Sequence, residues 1–163
     1  MEEWIKETAF VARSSSSKIG AKHGPATNSP GVCMKVLIID DSRFFRVANE
    51  RALARAGYSV ITAADGEDGL QLSRAHKPDL VVLDMLLPKL TGPEVLRAMR
   101  KDSQTASIPV MVLTSLPQCN ERKLLDEGAT CYFQKAGITL DKGSEKFVEA
   151  VERMLLKTSA AGA

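Results

Sequence analysis

The sequence predicts an α/β domain in which a parallel sheet of five strands is covered by helices on both faces. Four short apolar runs have the length of strands, and helix-like segments alternate with them along the chain. The run from Leu80 to Leu83 contains only leucine and valine, which is typical of a strand buried on both faces. Each of the four runs ends in, or is followed by, a polar side chain, so the strand ends are where we expect a functional site.

Strands and helices alternate five times, as (βα) units do in doubly wound parallel sheets. The predicted strands are Lys35–Asp40, Tyr58–Ala63, Leu80–Asp84, Pro109–Thr114 and Ala129–Gln134. The predicted helices are 43–56, 66–76, 91–101, 117–127 and 145–157.

Local signals mark the ends of these helices. Ser42 can cap the first helix, and Gly57 follows that helix as a left-handed stop. Thr91 and Glu94 have the spacing of a capping box at the start of the third helix, and Gly128 can stop the fourth.

Apolar side chains recur at helical spacing, and these are the predicted core contacts. In order along the five helices they are Phe45, Ala48, Ala52 and Ala56; Leu70 with Leu72 beside it; Val95, Leu96 and Met99; Leu124 and Leu125; and Phe147, Val148, Val151, Met154 and Leu155.

The two ends of the chain differ from the rest in composition. Residues 1–33 include four serines in a row and are rich in Gly, Pro, Thr and Asn, which favours a flexible N-terminal extension. A start codon assigned too early is another explanation, because Met34 would make a natural beginning, and a docking helix over Glu2–Arg13 is the less favoured alternative. The domain is expected to span 34–157, and 158–163 to form a frayed C-terminal tail.

Composition and charge argue against two classes of protein. The chain has 163 residues, of which 44% are hydrophobic, enough for the core of one domain. Its net charge of +2 is too balanced to predict direct nucleic-acid binding, and no apolar run is long enough to span a membrane. Three scattered cysteines, Cys33, Cys119 and Cys131, lack metal-ligand spacing and indicate free thiols in a reducing cytoplasm.

The polar residues at the strand ends are expected to meet. Asp40 and Asp41 end the first strand, Asp84 the third and Thr114 the fourth, and Lys135 follows the fifth. In an open parallel sheet the carboxyl ends of the strands line one edge, where ligands bind. The 2-1-3-4-5 strand order of flavodoxin-like folds would place the first and third strands side by side.

Three neighbouring carboxylates predict a metal ion. Two unit charges about 4 Å apart repel by about 4 kcal/mol at an effective dielectric constant of about 20. Ligands that are all oxygen select Mg²⁺ or Mn²⁺. The metal, Lys135 and Thr114 would then surround the Asp84 carboxylate with positive charge and a hydroxyl donor, so Asp84 is the candidate nucleophile for a phosphoryl group.

The combined motifs resemble the receiver domain of two-component response regulators, the CheY-like family. The resemblance extends from about Met34 to Lys157. It rests on Asp40-Asp41-Ser42-Arg43, on Asp84 with Pro88 and Gly92, on Leu113-Thr114-Ser115, and on Tyr132-Phe133-Gln134-Lys135.

This resemblance implies a ligand set for the metal. It implies that Asp84 accepts the phosphoryl group, that Asp41 and Asp84 bind Mg²⁺ directly, and that Asp40 binds it through water. The backbone carbonyl of Leu86 is implied as a further protein ligand. Lys135 and Thr114 are implied to contact the phosphoryl oxygens.

The resemblance also implies a switch and its partners. Tyr132 matches the family's switch aromatic, whose rotamer follows the movement of Thr114. The phosphoryl donor would be a phosphohistidine on a sensor histidine kinase or a phosphotransfer protein. The output would be a target protein bound in trans by the surface of the fourth helix, fifth strand and fifth helix. The expectation is a single-domain regulator that catalyses only its own phosphorylation and dephosphorylation.

Two further features of the sequence, the first of them a departure from the family pattern, bear on this expectation. Ala136 stands where the family usually has a proline, which leaves the path of the 136–144 loop open. Leu86 and Leu116 occupy the positions that flank the approach of water to the aspartyl phosphate in this family, and neither side chain can orient a water. We therefore expect slow self-dephosphorylation.

Three other classes of protein share parts of this pattern. A haloacid-type phosphatase needs Asp-x-Asp after the first strand, whereas Asp40 and Asp41 are adjacent. A flavodoxin-like flavin module needs a phosphate loop there, and two carboxylates would repel the phosphate. A receiver-like interaction domain that is never phosphorylated is disfavoured by the intact site.

Overall fold

The computed structural model describes residues 33–115, 121–135 and 143–161, and within these ranges it contains five strands and five helices. The strands are β1 Lys35–Ile39, β2 Ser59–Ala63, β3 Leu80–Asp84, β4 Val110–Thr114 and β5 Cys131–Gln134. The helices are α1 Arg43–Arg55, α2 Gly66–His76, α3 Gly92–Lys101, α4 Glu121–Asp126 and α5 Gly143–Ala161.

All five strands are parallel, in the order β2-β1-β3-β4-β5, so the predicted fold class is confirmed. The register brings the strand ends together. Ile39 pairs with Leu83, which places the next residues, Asp40 and Asp84, beside each other. Asp84 in turn pairs with Leu113, so the following residue of β4 lies at the same edge.

The core explains why the central strands contain so few polar residues. Every residue of β3 and β4 is buried, as are the last four residues of β1. One cluster of buried side chains joins the sheet to α2, α3 and α4, while α1 packs against β1, β2 and α5. Strands covered on both faces are apolar over most of their length, and the polar residues of β3 and β4, Asp84 and Thr114, stand only at their carboxyl ends.

The local helix signals are largely confirmed. Gly57 and Gly128 have φ angles of +95° and +101°, which an L side chain rarely adopts. In the capping box, the Glu94 carboxylate accepts hydrogen bonds from the Thr91 amide at 2.9 Å and from its hydroxyl at 2.6 Å. The second helix has the predicted bounds, and Leu70 is buried in the core.

The predicted core face of α1 is confirmed only in part: Phe45 packs against buried Phe147, but the most buried residues of the helix were not among those predicted. Phe45 and the three alanines on that face are only half-buried, whereas Asn49 and Leu53 are completely buried. Because Asn49 is polar, the spacing of apolar residues does not reveal the helix face on which Asn49 and Leu53 lie. The amide nitrogen of Asn49 donates to the Phe45 carbonyl at 2.8 Å, which pays part of the cost of burial.

The last helix also differs from its predicted bounds. It begins at Gly143 and ends at Ala161, so residues 158–161 belong to the helix and not to a frayed tail. Alanine has the highest helix propensity of all residues, and two alanines form its last positions. The Thr158 hydroxyl donates to the Leu155 carbonyl at 3.0 Å within this turn.

Several predictions fall outside the described residues. They are the N-terminal extension up to residue 32 with its helix over 2–13, the start of the fourth helix, Leu116 and Cys119, and the 136–142 part of the loop after Lys135. In the part of the chain that is described, no helix is long and apolar enough to cross a membrane.

Gly92 permits α3 to begin directly against the end of β3. A Cβ atom at this position would collide with the Asp84 backbone oxygen and come within 2.6 Å of the Met85 Cα atom. Backbone atoms cannot rotate away as a side chain can. We therefore expect Gly92→Ala to lower the free energy of unfolding by about 1–3 kcal/mol, measured by urea denaturation. An unchanged midpoint would show that the first turn of α3 can shift away from β3.

Candidate functional site

The carboxyl edge of the sheet holds a cluster of three aspartates. Asp40 follows β1, Asp84 ends β3 and Asp41 follows Asp40. One carboxylate oxygen from each of the three lies within 4.8 Å of the others. Asp40 is completely buried and Asp84 is 4% exposed, whereas Asp41 faces solvent. The predicted convergence of these three residues is therefore present.

The start of α1 holds Asp40 in place. The Ser42 amide donates to Asp40 Oδ1 at 2.8 Å, and the Ser42 hydroxyl accepts from the Phe45 amide at 3.3 Å as the predicted N-cap. The Arg46 guanidinium donates to the Asp40 backbone oxygen at 2.5 Å. The β1–α1 turn is thus fixed by one backbone amide and one side chain from the first two turns of the helix.

Asp84 is held by groups from two directions. The Leu86 amide donates to Asp84 Oδ1 at 3.2 Å, and the Lys135 ammonium donates to Asp84 Oδ2 at 2.6 Å. The first contact folds the β3–α3 turn back over the strand end. The second comes from the residue that directly follows β5, and β5 is two strands away from β3 in the sheet.

Lys135 bridges the two buried carboxylates. Its nitrogen lies 2.7 Å from Asp40 Oδ2 and 2.6 Å from Asp84 Oδ2, and its side chain is only 18% exposed. Burial lowers the pKa of Lys135, but the hydrogen bonds and charges of Asp40 and Asp84 outweigh burial and raise it. The ammonium is therefore firmly protonated at neutral pH.

Burial raises the pKa of Asp40, although Lys135 and the Ser42 amide oppose the shift. The negative charge of Asp84 adds to the increase. Three carboxylates and one ammonium leave a formal charge of about −2 at the cluster when all are ionised. This net negative charge favours the binding of a cation at the site.

Thr114 and Tyr132 lie on the neighbouring strands. Thr114 ends β4, is 5% exposed and pairs with Gln134, the residue before Lys135. Tyr132 pairs with Val112 and is a partly buried residue packed against the main core cluster. Thr114 thus reaches the same edge as the aspartates, whereas Tyr132 lies three residues before Lys135 on β5.

The donor set fits a hard divalent cation. All the groups that could bind it are carboxylate or carbonyl oxygens, which suit Mg²⁺ or Mn²⁺. The Leu86 amide donates to Asp84 Oδ1, so the backbone of Leu86 lies next to the aspartate cluster. Asp41 and Asp84 lie at the carboxyl ends of two neighbouring strands, β1 and β3, from which both carboxylates could reach one ion.

Two residues at the site were not predicted. Arg46 contacts the Asp40 backbone, and the ring of Phe45 lies under the Lys135 ammonium, 4.9 Å from nitrogen to ring centroid. Both lie four or five residues beyond Asp41, on the first turns of α1. Their closeness to Asp41 in the sequence could have indicated that both residues lie near the site. The hydrophobic pattern instead assigned Phe45 to the core alone.

Comparison with known proteins places this site in a family. Residues 36–142 match the response regulator receiver domain, and they make up more than half of the chain. The chain therefore belongs to the family of response regulator receiver domains, as the motifs predicted. This membership favours the receiver over the haloacid-type phosphatase and the flavin module.

Individual relatives agree with this assignment. The chain is 40% identical over 102 residues to the alkaline phosphatase synthesis transcriptional regulatory protein PhoP of Bacillus subtilis, an alignment covering 62% of this chain and 42% of PhoP. It is 40% identical over 103 residues to the response regulator MprA of Mycolicibacterium vanbaalenii, covering 63% and 44%. The chain thus spans less than half the length of these curated relatives.

Two solved structures show the same fold. The chemotaxis response regulator CheY4 of Vibrio cholerae superposes with a TM-score of 0.68 at 30% identity, covering 75% of this chain and 98% of CheY4. A response regulator from Chloroflexus aurantiacus gives a TM-score of 0.68 at 28% identity, covering 77% and 99%.

The crowded carboxylates make a prediction about stability. Asp41→Asn removes one negative charge from the cluster, so we expect the melting temperature without metal to rise by a few degrees and the affinity for Mg²⁺ to fall. Thermal unfolding with and without Mg²⁺ measures both effects. Glu149→Gln, which removes an exposed carboxylate from α5, is the matched control and should change neither. A lower melting temperature with unchanged Mg²⁺ affinity would place Asp41 outside the metal site.

Proposed function

We propose that this chain is a phosphoryl-accepting switch in two-component signalling. Asp84 is the phosphoacceptor, and the donor is a phosphohistidine on a sensor histidine kinase or a phosphotransfer protein. The observation that carries the proposal is the position of Asp84, at the end of a fully buried strand and paired with Lys135 at 2.6 Å beside two further carboxylates.

The proposed reaction is a direct displacement at phosphorus. A carboxylate oxygen of Asp84 forms a new bond to phosphorus while the phosphorus–nitrogen bond of phosphohistidine breaks, and the imidazole leaves with the electron pair of that bond. The Lys135 ammonium and the Thr114 hydroxyl lie at the same sheet edge and would donate to the phosphoryl oxygens. The protein catalyses only its own phosphorylation and dephosphorylation.

The proposed metal ligands are Asp41, Asp84 and the Leu86 carbonyl, with Asp40 acting through water. A bound Mg²⁺ or Mn²⁺ would neutralise the charge that develops on the phosphoryl oxygens. The hydrogen bond from the Ser42 amide keeps Asp40 oriented toward the cluster.

The proposed output surface is formed by α4, β5 and α5. Tyr132 lies on β5, partly buried against the core, where a change of rotamer would alter this surface. Thr114, on the adjacent strand, is proposed to couple the phosphoryl group to that rotamer. A target protein would bind this face in trans in the cytoplasm, and the receiver domain itself would contact neither nucleic acid nor membrane.

The acceptor assignment can be tested with a small phosphoryl donor. Incubation with acetyl phosphate and Mg²⁺ should add the mass of one phosphoryl group to the chain, and Asp84→Asn should abolish this uptake because the amide is not a nucleophile. Asp79→Asn, at the opposite end of β3, is the matched control and should be phosphorylated normally. Equal uptake by the Asp84→Asn variant in intact-mass measurements would refute the assignment.

The lifetime of the phosphoryl group is expected to depend on Leu86, whose side chain is 63% exposed beside the acceptor. Replacing Leu86 with Asn and Leu116 with Glu would supply groups that can orient a water. We expect hydrolysis to accelerate about 2- to 10-fold, the rate equivalent of one hydrogen bond.

The decay of the isolated phosphoprotein, followed by mass, measures this effect. Leu156→Asn is the control, since Leu156 is also an exposed leucine, 53% exposed, but lies on α5. Equal decay in the double variant and the parent would show that water access at these two positions does not set the lifetime.

A further inference from the structure

Three aromatic rings connect the site lysine to the last helix. The Phe45 ring of α1 packs edge-on against Phe147 of α5, with centroids 6.4 Å apart and planes at 70°. Phe147 packs in the same manner against Phe133 of β5, at 6.2 Å and 79°. Phe147 is completely buried, so the orientation of the Phe45 ring is set by the core.

The face of the Phe45 ring contacts the Lys135 ammonium. The nitrogen lies 4.9 Å from the ring centroid, within the range of a cation–π interaction. Two carboxylate oxygens, of Asp40 and Asp84, contact the same nitrogen at 2.7 and 2.6 Å. The ring therefore contacts the ammonium in addition to the two carboxylates, in a place where little solvent reaches it.

The ring contact differs from the two ion pairs in one respect. Asp84 would lose its free carboxylate on phosphorylation, and Asp40 is a proposed ligand of a cation, so both ion pairs change during the reaction. The quadrupole of the Phe45 ring does not change. It attracts the ammonium whatever the state of the carboxylates.

We propose that Phe45 is a positioning residue for phosphoryl transfer, whose ring keeps the Lys135 ammonium beside Asp84. This inference rests on the proposed function, because it assigns a role to Lys135 in that reaction. The competing explanation is that Phe45 only fills space between α1 and α5.

Ring electronics separate these two explanations. Fluorinated phenylalanines at position 45 keep the shape of the ring nearly unchanged but weaken the negative potential of its face. If the ring positions Lys135, the rate of phosphorylation by acetyl phosphate should fall stepwise from phenylalanine to the difluoro and trifluoro analogues. Equal rates for all three rings would overturn the proposal, and the near-isosteric rings avoid the risk of misfolding.

Conventional variants give the size of the effect. We expect Phe45→Leu to slow phosphorylation about 2- to 30-fold, the range that a cation–π interaction supports, and Phe45→Tyr to retain most of the rate. Phe44→Leu is the matched control, since Phe44 is the adjacent phenylalanine and is 65% exposed. A Phe45→Leu variant that reacts as fast as Phe44→Leu would overturn the proposal.

A readout independent of phosphorylation distinguishes this proposal from the proposed function. The ring current of Phe45 should shift the NMR signals of the Lys135 ε-methylene group upfield, and Phe45→Leu, but not Phe44→Leu, should abolish that shift. Absence of the shift in the parent chain would overturn the ring contact itself. If instead the shift is present but the parent takes up no phosphoryl group, the proposed function fails, and the positioning role fails with it.

Discussion

The bridge from Lys135 to Asp40 and Asp84 is the interaction on which the arrangement of this protein depends. The two carboxylates are buried, and a buried charge costs several kcal/mol unless it is paired. The ammonium that pairs them comes from the end of β5, and it reaches them only because β1, β3, β4 and β5 lie side by side in that order. The ion pairs of Lys135 therefore depend on the strand order of the sheet.

This site works against stability as well as for it. Burial raises the pKa of Asp40, so ionising this carboxyl costs folding free energy at pH values above its ordinary 3.8. Lys135 acts in the opposite direction: its pKa is raised, so its pairing stabilises the fold below the ordinary value of 10.5 and is lost only as pH rises beyond it. Burial of the apolar residues of β1, β3 and β4 stabilises the fold against this cost.

The fold and the charged residues of the site were predictable because both follow from short-range patterns. Mostly apolar strands of four or five residues alternate with helices, and parallel topology carries the residues at the strand ends to one edge. The inward face of α1 was only partly predictable, because buried Asn49 breaks the hydrophobic pattern. The contact between Phe45 and Lys135 depends on how α1 is rotated about its own axis relative to the sheet. The spacing of residues in the sequence does not determine this rotation.

The two groups that are proposed to contact a phosphoryl group on Asp84 both lie next to the end of β5. Lys135 directly follows β5, and Thr114 pairs with the last residue of β5 in the sheet. Tyr132 and Phe133 are neighbours on β5 and point to opposite faces of the sheet, the first toward the main core cluster and the second toward Phe147 of α5. A charge change at Asp84 would thus act on one short strand from its end, and that strand contacts both the core and the last helix. Coupling of this kind requires β5 or its side chains to have two arrangements of similar energy. Three of the four residues of β5 are only partly buried, so their side chains can change rotamer more easily than those of the completely buried strands β3 and β4.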